Sequence, residues 1–130
     1  MYGFNTKFTG SFADAVAKVT AELSKEGFGV LTEIDVKAVL KKKLDIDKRP
    51  YKILGACNPV LANKALTAEP DIGLLLPCNV VVREEDDASI TVAFMDPLAV
   101  LQLVGRDDIA ELAAQVRAKL QRVKAGIEAG

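Results

Sequence analysis

The sequence predicts an α+β fold: one mostly antiparallel sheet with helices packed mainly on one face. Three observations predict it. Segments with a two-residue apolar period alternate along the chain with segments of helical period. The last two strand-like segments are joined by only four residues, as in a hairpin. The chain has 130 residues, half of them hydrophobic, which suits a single domain over residues 1–130 with one core.

Tyr2 to Phe8 alternates large and polar residues and reads as the first strand. Ser11-Phe12-Ala13-Asp14 has the form of a helix start, with a capping serine and an acid three residues on. Phe12, Val16, Val19 and Leu23 recur at helical spacing, and Gly27 ends that helix as a residue free to take positive φ. Phe28 to Ile34 is the second strand. Asp35 caps a second helix carrying Val36, Val39, Leu40 and Leu44, and Asp45 to Pro50 is a polar loop. Tyr51 to Cys57 is a third strand, apolar at nearly every position after Lys52, and so expected to be central and covered on both faces.

Asn58-Pro59 opens a third helix, with a capping side chain followed by proline in the first turn. It runs to Ala68, before Pro70. Ile72 to Leu76 is apolar and Pro77 interrupts it, marking a bulge, an edge or a break. Cys78 to Glu84 and Ser89 to Met95 form the hairpin across Glu85-Asp86-Asp87-Ala88. Val80 and Val82 share one face, and Ile90, Val92 and Phe94 face the core. Asp96-Pro97 opens a short helix ending near Gly105. Asp107 is expected to cap the last helix, whose stripe comprises Ile109, Leu112, Ala113, Val116, Leu120, Val123 and Ile127.

Composition removes several function classes. Seventeen Lys and Arg stand against eighteen Asp and Glu, a net charge of −1, so nothing points to nucleic acid as a partner. The one basic cluster, Lys41, Lys42 and Lys43 with Lys48 and Arg49, is interrupted by Asp45 and Asp47 and reads as a helix end complementing its dipole. Histidine is absent, which rules out Ser-His-Asp and Cys-His centres within one chain and imidazole-ligated zinc. No apolar run is long enough to span a bilayer, and the first residues do not read as an export signal. The expectation is a cytoplasmic protein, with no membrane association and with both cysteines reduced.

Three blocks carry a resemblance: Gly27-Phe28-Gly29-Val30-Leu31-Thr32-Glu33-Ile34-Asp35-Val36, Tyr51-Lys52-Ile53-Leu54-Gly55-Ala56-Cys57-Asn58-Pro59, and Ile72-Gly73-Leu74-Leu75-Leu76-Pro77-Cys78-Asn79-Val80-Val81-Val82. In that order and spacing, the chain resembles a family of short bacterial and archaeal proteins known as domain of unknown function three hundred and two. The resemblance implies a TATA-binding-protein-like α+β architecture, with a curved antiparallel sheet, and a small dimer. It implies no catalytic residue, substrate or cofactor. An architecture shared with a DNA-binding protein does not carry DNA binding with it.

Cys57-Asn58 and Cys78-Asn79 are the leading ligand-binding candidates, because each lies at the end of an apolar strand. Side by side, the two thiols would hold a soft metal or cycle between dithiol and disulfide. The structural alternative is a pair of buried thiols acting as small hydrophobes. Asn58 and Asp96 precede helix-start prolines. They are plain caps or, if their corners share a sheet end, the frame of a small pocket beside exposed helix amides. Glu33 and Asp35 alternate on a strand and would join Cys57 and Cys78 around a metal. Otherwise Glu33 is solvated and Asp35 caps a helix. Lys52 and Arg83 are strand cations that would neutralise an anion, or simply decorate exposed positions. The stripe of the last helix covers the sheet or extends into a partner subunit.

The reading that follows is a dimeric binding module for a small ligand or metal near Cys57-Asn58. The alternatives are a thiol-dependent redox enzyme or sensor using Cys57 and Cys78, and a protein-interaction module. No cofactor is specified.

Overall fold

The computed structural model describes all of residues 1–130. In chain order the elements are β1 (Gly3–Phe8), α1 (Phe12–Lys25), β2 (Gly29–Asp35), α2 (Val36–Leu44), β3 (Tyr51–Cys57), α3 (Pro59–Ala68), β4 (Cys78–Glu84), β5 (Ile90–Met95), α4 (Pro97–Leu101) and α5 (Asp107–Glu128). Short 3-10 turns at Pro70–Leu75 and Gln102–Val104 follow α3 and α4.

The strands make one sheet in the order β1-β5-β4-β3-β2, and every neighbouring pair is antiparallel. Strands β2 to β5 form a meander. The link from β1 to β2 crosses the whole sheet, since these two strands occupy opposite edges, and α1 makes that crossing. This places α1 under the sheet, where Ala15, Val19 and Leu23 meet Leu54, Val80, Val82, Val92 and Phe94. Leu120, Val123 and Ile127 of α5 complete the same cluster. Burying each such Leu or Val contributes roughly 1.5–3 kcal/mol, so the two long helices and one sheet face make the main core.

Local chemistry fixes the ends of these elements. The Ser11 side chain accepts from the Asp14 amide at 3.1 Å. At the other end of α1, Gly27 has φ +83°. Its amide donates to the Ser24 carbonyl and the Phe28 amide to that of Leu23, a Schellman closure that brings Phe28 onto Leu23 in the core. A second, smaller cluster of Ala65, Ile72, Leu101, Ile109 and Ala113 lies among α3, its following turn, α4 and α5.

Two expectations need adjusting, at β3 and at Asp107, and two left with alternatives resolve towards one of them. β3 lies between β4 and β2, but helices cover only one of its faces: Leu54 and Ala56 are buried, whereas Tyr51, Ile53 and Cys57 are half-buried. The interruption at Pro77 is a break, with a 3-10 turn before it and β4 after it. Asp107 is the first residue of α5 rather than its cap, and Arg106 takes the cap position without a side-chain hydrogen bond. Arg106 is extended there, and its guanidinium, which has no acceptor to cap with, donates to Asp108 (2.8 Å) and to the Ala68 carbonyl (2.6 Å). Finally, the α5 stripe faces inward: Ile109, Ala113, Leu120, Val123 and Ile127 are buried, while Leu112 and Val116 are half-buried.

Candidate functional site

The main core and the smaller cluster do not close completely against each other. Between them lies a cavity of about 280 Å³ at the sheet end where β3 finishes and β4 begins. Nineteen residues line it, fifteen of them hydrophobic, and none is Lys, Arg, Asp or Glu. Ala56, Cys78, Leu101, Ile109 and Ala113 are buried on its inner side, whereas Leu31, Thr32 and Leu66 are exposed at its mouth. Small side chains leave room on its walls: Ala62 and Ala65 on α3 and Ala113 on α5 all line it.

Cys57, Asn58 and Cys78 all line this cavity. Cys78 is the register partner of Ala56, so Cys57, one residue further along β3, leaves its strand on the opposite side, and both thiols are free. Burial pushes the Cys78 thiol up to about 11, and the neighbouring Cys57 adds to the rise. Removing solvent disfavours the charged thiolate, so Cys78 stays protonated at neutral pH. Asn58 makes a structural bond at each end of its carboxamide. Its carboxamide oxygen accepts from the Leu61 amide at 3.2 Å, capping α3, and its nitrogen donates to the Glu26 carbonyl at 3.4 Å. The Asn58 nitrogen also sits where a side chain on Gly27 would go, 3.0 Å from that position. The α1 terminus and the α3 start therefore brace one another at the cavity rim.

The other candidates lie elsewhere. Asn79 points to the opposite face from Cys78, because strand side chains alternate. It is exposed beside Met1, Tyr2 and Val81. Asp96 is at the same sheet end as Cys78 but not on the cavity wall. Its carboxylate accepts from the Leu98 amide at 3.0 Å and pairs with Arg117 at 3.1 Å. The two capping corners therefore do not frame a shared pocket. Glu33 bonds Lys52 at 2.6 Å, which raises the lysine pKa, and Asp35 caps α2 through the Ala38 amide at 2.9 Å. No group of three or more Cys, Asp or Glu side chains is arranged to hold a metal ion. The proposed shell of Cys57, Cys78, Glu33 and Asp35 therefore does not assemble. Arg83, like Lys52, is already paired, to Glu85 at 3.0 Å.

Sequence reasoning missed the walls of the site: Leu31 and Thr32 on β2, Leu61 and Ala65 on α3, and Leu112 and Val116 on α5. Thr32 lies across the sheet from Gly55. A β-carbon at Gly55 would fall within 2.9 Å of Pro77 and collide with the Thr32 hydroxyl, so the bare backbone of Gly55 lets Thr32 and Pro77 close over the strand. The glycine between Leu54 and Ala56 was the available signal, since a strand-interior glycine marks a close approach.

Fold and cavity together define a small α+β protein with a single antiparallel sheet and an apolar hollow at one sheet end. The chain belongs to the family described as domain of unknown function DUF302, whose model matches residues 4–127. It is also similar to a solved structure, the crystal structure of an uncharacterized conserved protein DUF302 from Bacillus stearothermophilus. The TM-score is 0.90 at 25% identity, over 98% of each chain. No curated protein matches it. No helix is long and apolar enough to cross a membrane.

Proposed function

We propose that the protein is a binding module that takes a small molecule into the cavity beside Cys57, Asn58 and Cys78. The observation that supports this is the cavity itself. Protein interiors are packed with few voids larger than a water molecule, and 280 Å³ approaches the lower end of the ~300–1,000 Å³ typical of ligand sites. The thiol-redox alternative has less support, because a buried Cys78 with a pKa raised to about 11 supplies little thiolate for exchange.

Thermal-shift and native mass spectrometry screens against a library of small molecules test the reading. A bound molecule should raise the melting temperature, with about 2.7 kcal/mol of stabilisation expected at a hundred times Kd. Ala62→Phe, a change at a half-buried cavity wall, should abolish the shift. Absence of any stabilising molecule in the wild type would remove the proposal.

The same proposal includes a homodimer in the cytoplasm. Exposed apolar side chains on the edge strand β2, Leu31 and Ile34, favour self-association, and sedimentation equilibrium should return twice the chain mass. Two free thiols on one cavity fit a reducing compartment, which fractionation of cells would check.

A further inference from the structure

We propose that the cavity's ligand is an uncharged, slender, mainly hydrocarbon molecule carrying one terminal hydroxyl or carbonyl oxygen, with that oxygen held at Thr32 and the apolar end between α3 and α5. This rests on the small-molecule reading above and specifies its chemistry.

Size comes first. At ~30 Å³ per water-sized unit, 280 Å³ accommodates roughly nine non-hydrogen atoms. Charge comes next. The wall contains no Lys, Arg, Asp or Glu, and a charge taken from water without a partner carries a heavy desolvation cost. A carboxylate, phosphate or ammonium therefore finds no counter-charge inside. The start of α3 supplies no substitute, because Asn58 occupies the Leu61 amide, Pro59 has no amide hydrogen and Val60 is not on the wall.

Polarity then sets the direction. The polar atoms on the wall belong to Thr32, Asn58 and the two cysteines. Asn58 is engaged at both ends of its carboxamide, and thiols are weak hydrogen-bonding groups. Thr32 is exposed at the mouth, with its hydroxyl over Gly55, and a hydroxyl is both donor and acceptor. The far wall is hydrocarbon: Leu101, Ile109 and Ala113 are buried there. Mouth to floor, the cavity grades from one hydroxyl to aliphatic side chains, which matches a molecule polar at one end only.

Calorimetric titration of the full chain at pH 7 with 1-octanol, octanoate and octylammonium tests this, because the three differ mainly in end group. Octanol should bind at least about tenfold more tightly than either ion. Thr32→Val, a change of nearly constant shape at an exposed position, should weaken octanol several-fold while leaving the melting temperature close to wild type. Ala62→Phe should block octanol altogether. Equal or tighter binding of octanoate or octylammonium would overturn the uncharged class while leaving a binding module in place. An unchanged octanol affinity in Thr32→Val would overturn the orientation. Failure of all three to bind, together with an empty screen, would remove the underlying reading as well.

Discussion

Two cysteines at one cavity behave differently because one is buried and the other half-buried. Cys78 carries a pKa near 11 rather than 9.0, chiefly through burial. A two-unit rise lowers the thiolate fraction at neutral pH about a hundredfold. Labelling with a thiol-disulfide reagent at pH 7 should therefore modify Cys57 first, with Cys78 at least tenfold slower and accelerating as pH rises towards 11. Rapid labelling of Cys78 in the native protein would contradict its burial. The sign for stability follows from the same shift. The raised folded value leaves stability intact below pH 9, and stability is lost as pH climbs through 9 towards 11, where an unfolded thiol ionises and the folded one does not. Asn58 shows why a single residue was hard to read from sequence. Its role as a cap was legible from the proline after it, but its second bond, to the Glu26 carbonyl, joins residues 32 positions apart.

At the scale of an element, α1 illustrates how a helix can seat a charge against its neighbour. Glu22 is buried where α1 meets α5, its carboxylate over Gly126, and it bonds Lys25 at 3.0 Å and Lys18 at 3.1 Å. Lys25, and then Lys18, hold its carboxyl below the ordinary carboxylate range. A depressed folded value means that the contribution is present above the unfolded carboxylate pKa, about 4.3, and is lost as pH falls through the folded value. Glu22→Gln should lower the melting temperature by a few degrees at pH 7, and the gap to wild type should close below about pH 4. A gap independent of pH would show that the lysines do not act through charge. The element boundaries themselves were largely legible, because caps and terminators are local: Ser11 and Gly27 bracket α1, and Asp35 and Asn58 open α2 and α3 as their sequence contexts indicated. Asp107 was misread by one position: it falls inside the first turn, where an acid favours the helix dipole without capping.

Across the whole molecule, the edge positions of β1 and β2 decide which surfaces remain open. β2 leaves Leu31 and Ile34 exposed, whereas the α5 stripe that suggested a partner faces inward. If subunits associate through β2, Ile34→Glu should shift the sedimenting species from dimer to monomer while leaving circular dichroism unchanged. An unaltered mass would move the interface elsewhere. By itself the sequence determined the number and type of the elements, most of their ends, and the inward face of β5 and the shared face of Val80 and Val82 on β4, because periodicity and capping act over a few residues. Only the tertiary structure decided which strand ends meet, that Cys57 and Cys78 both line one cavity while Asn79, Asp96, Glu33 and Asp35 do not, and that a hollow remains between two hydrophobic clusters. A void is the space left over after distant side chains have packed. Its walls come from β2, β3, α3, α5 and the segments between, and no local pattern in any one of them records the gap they leave together.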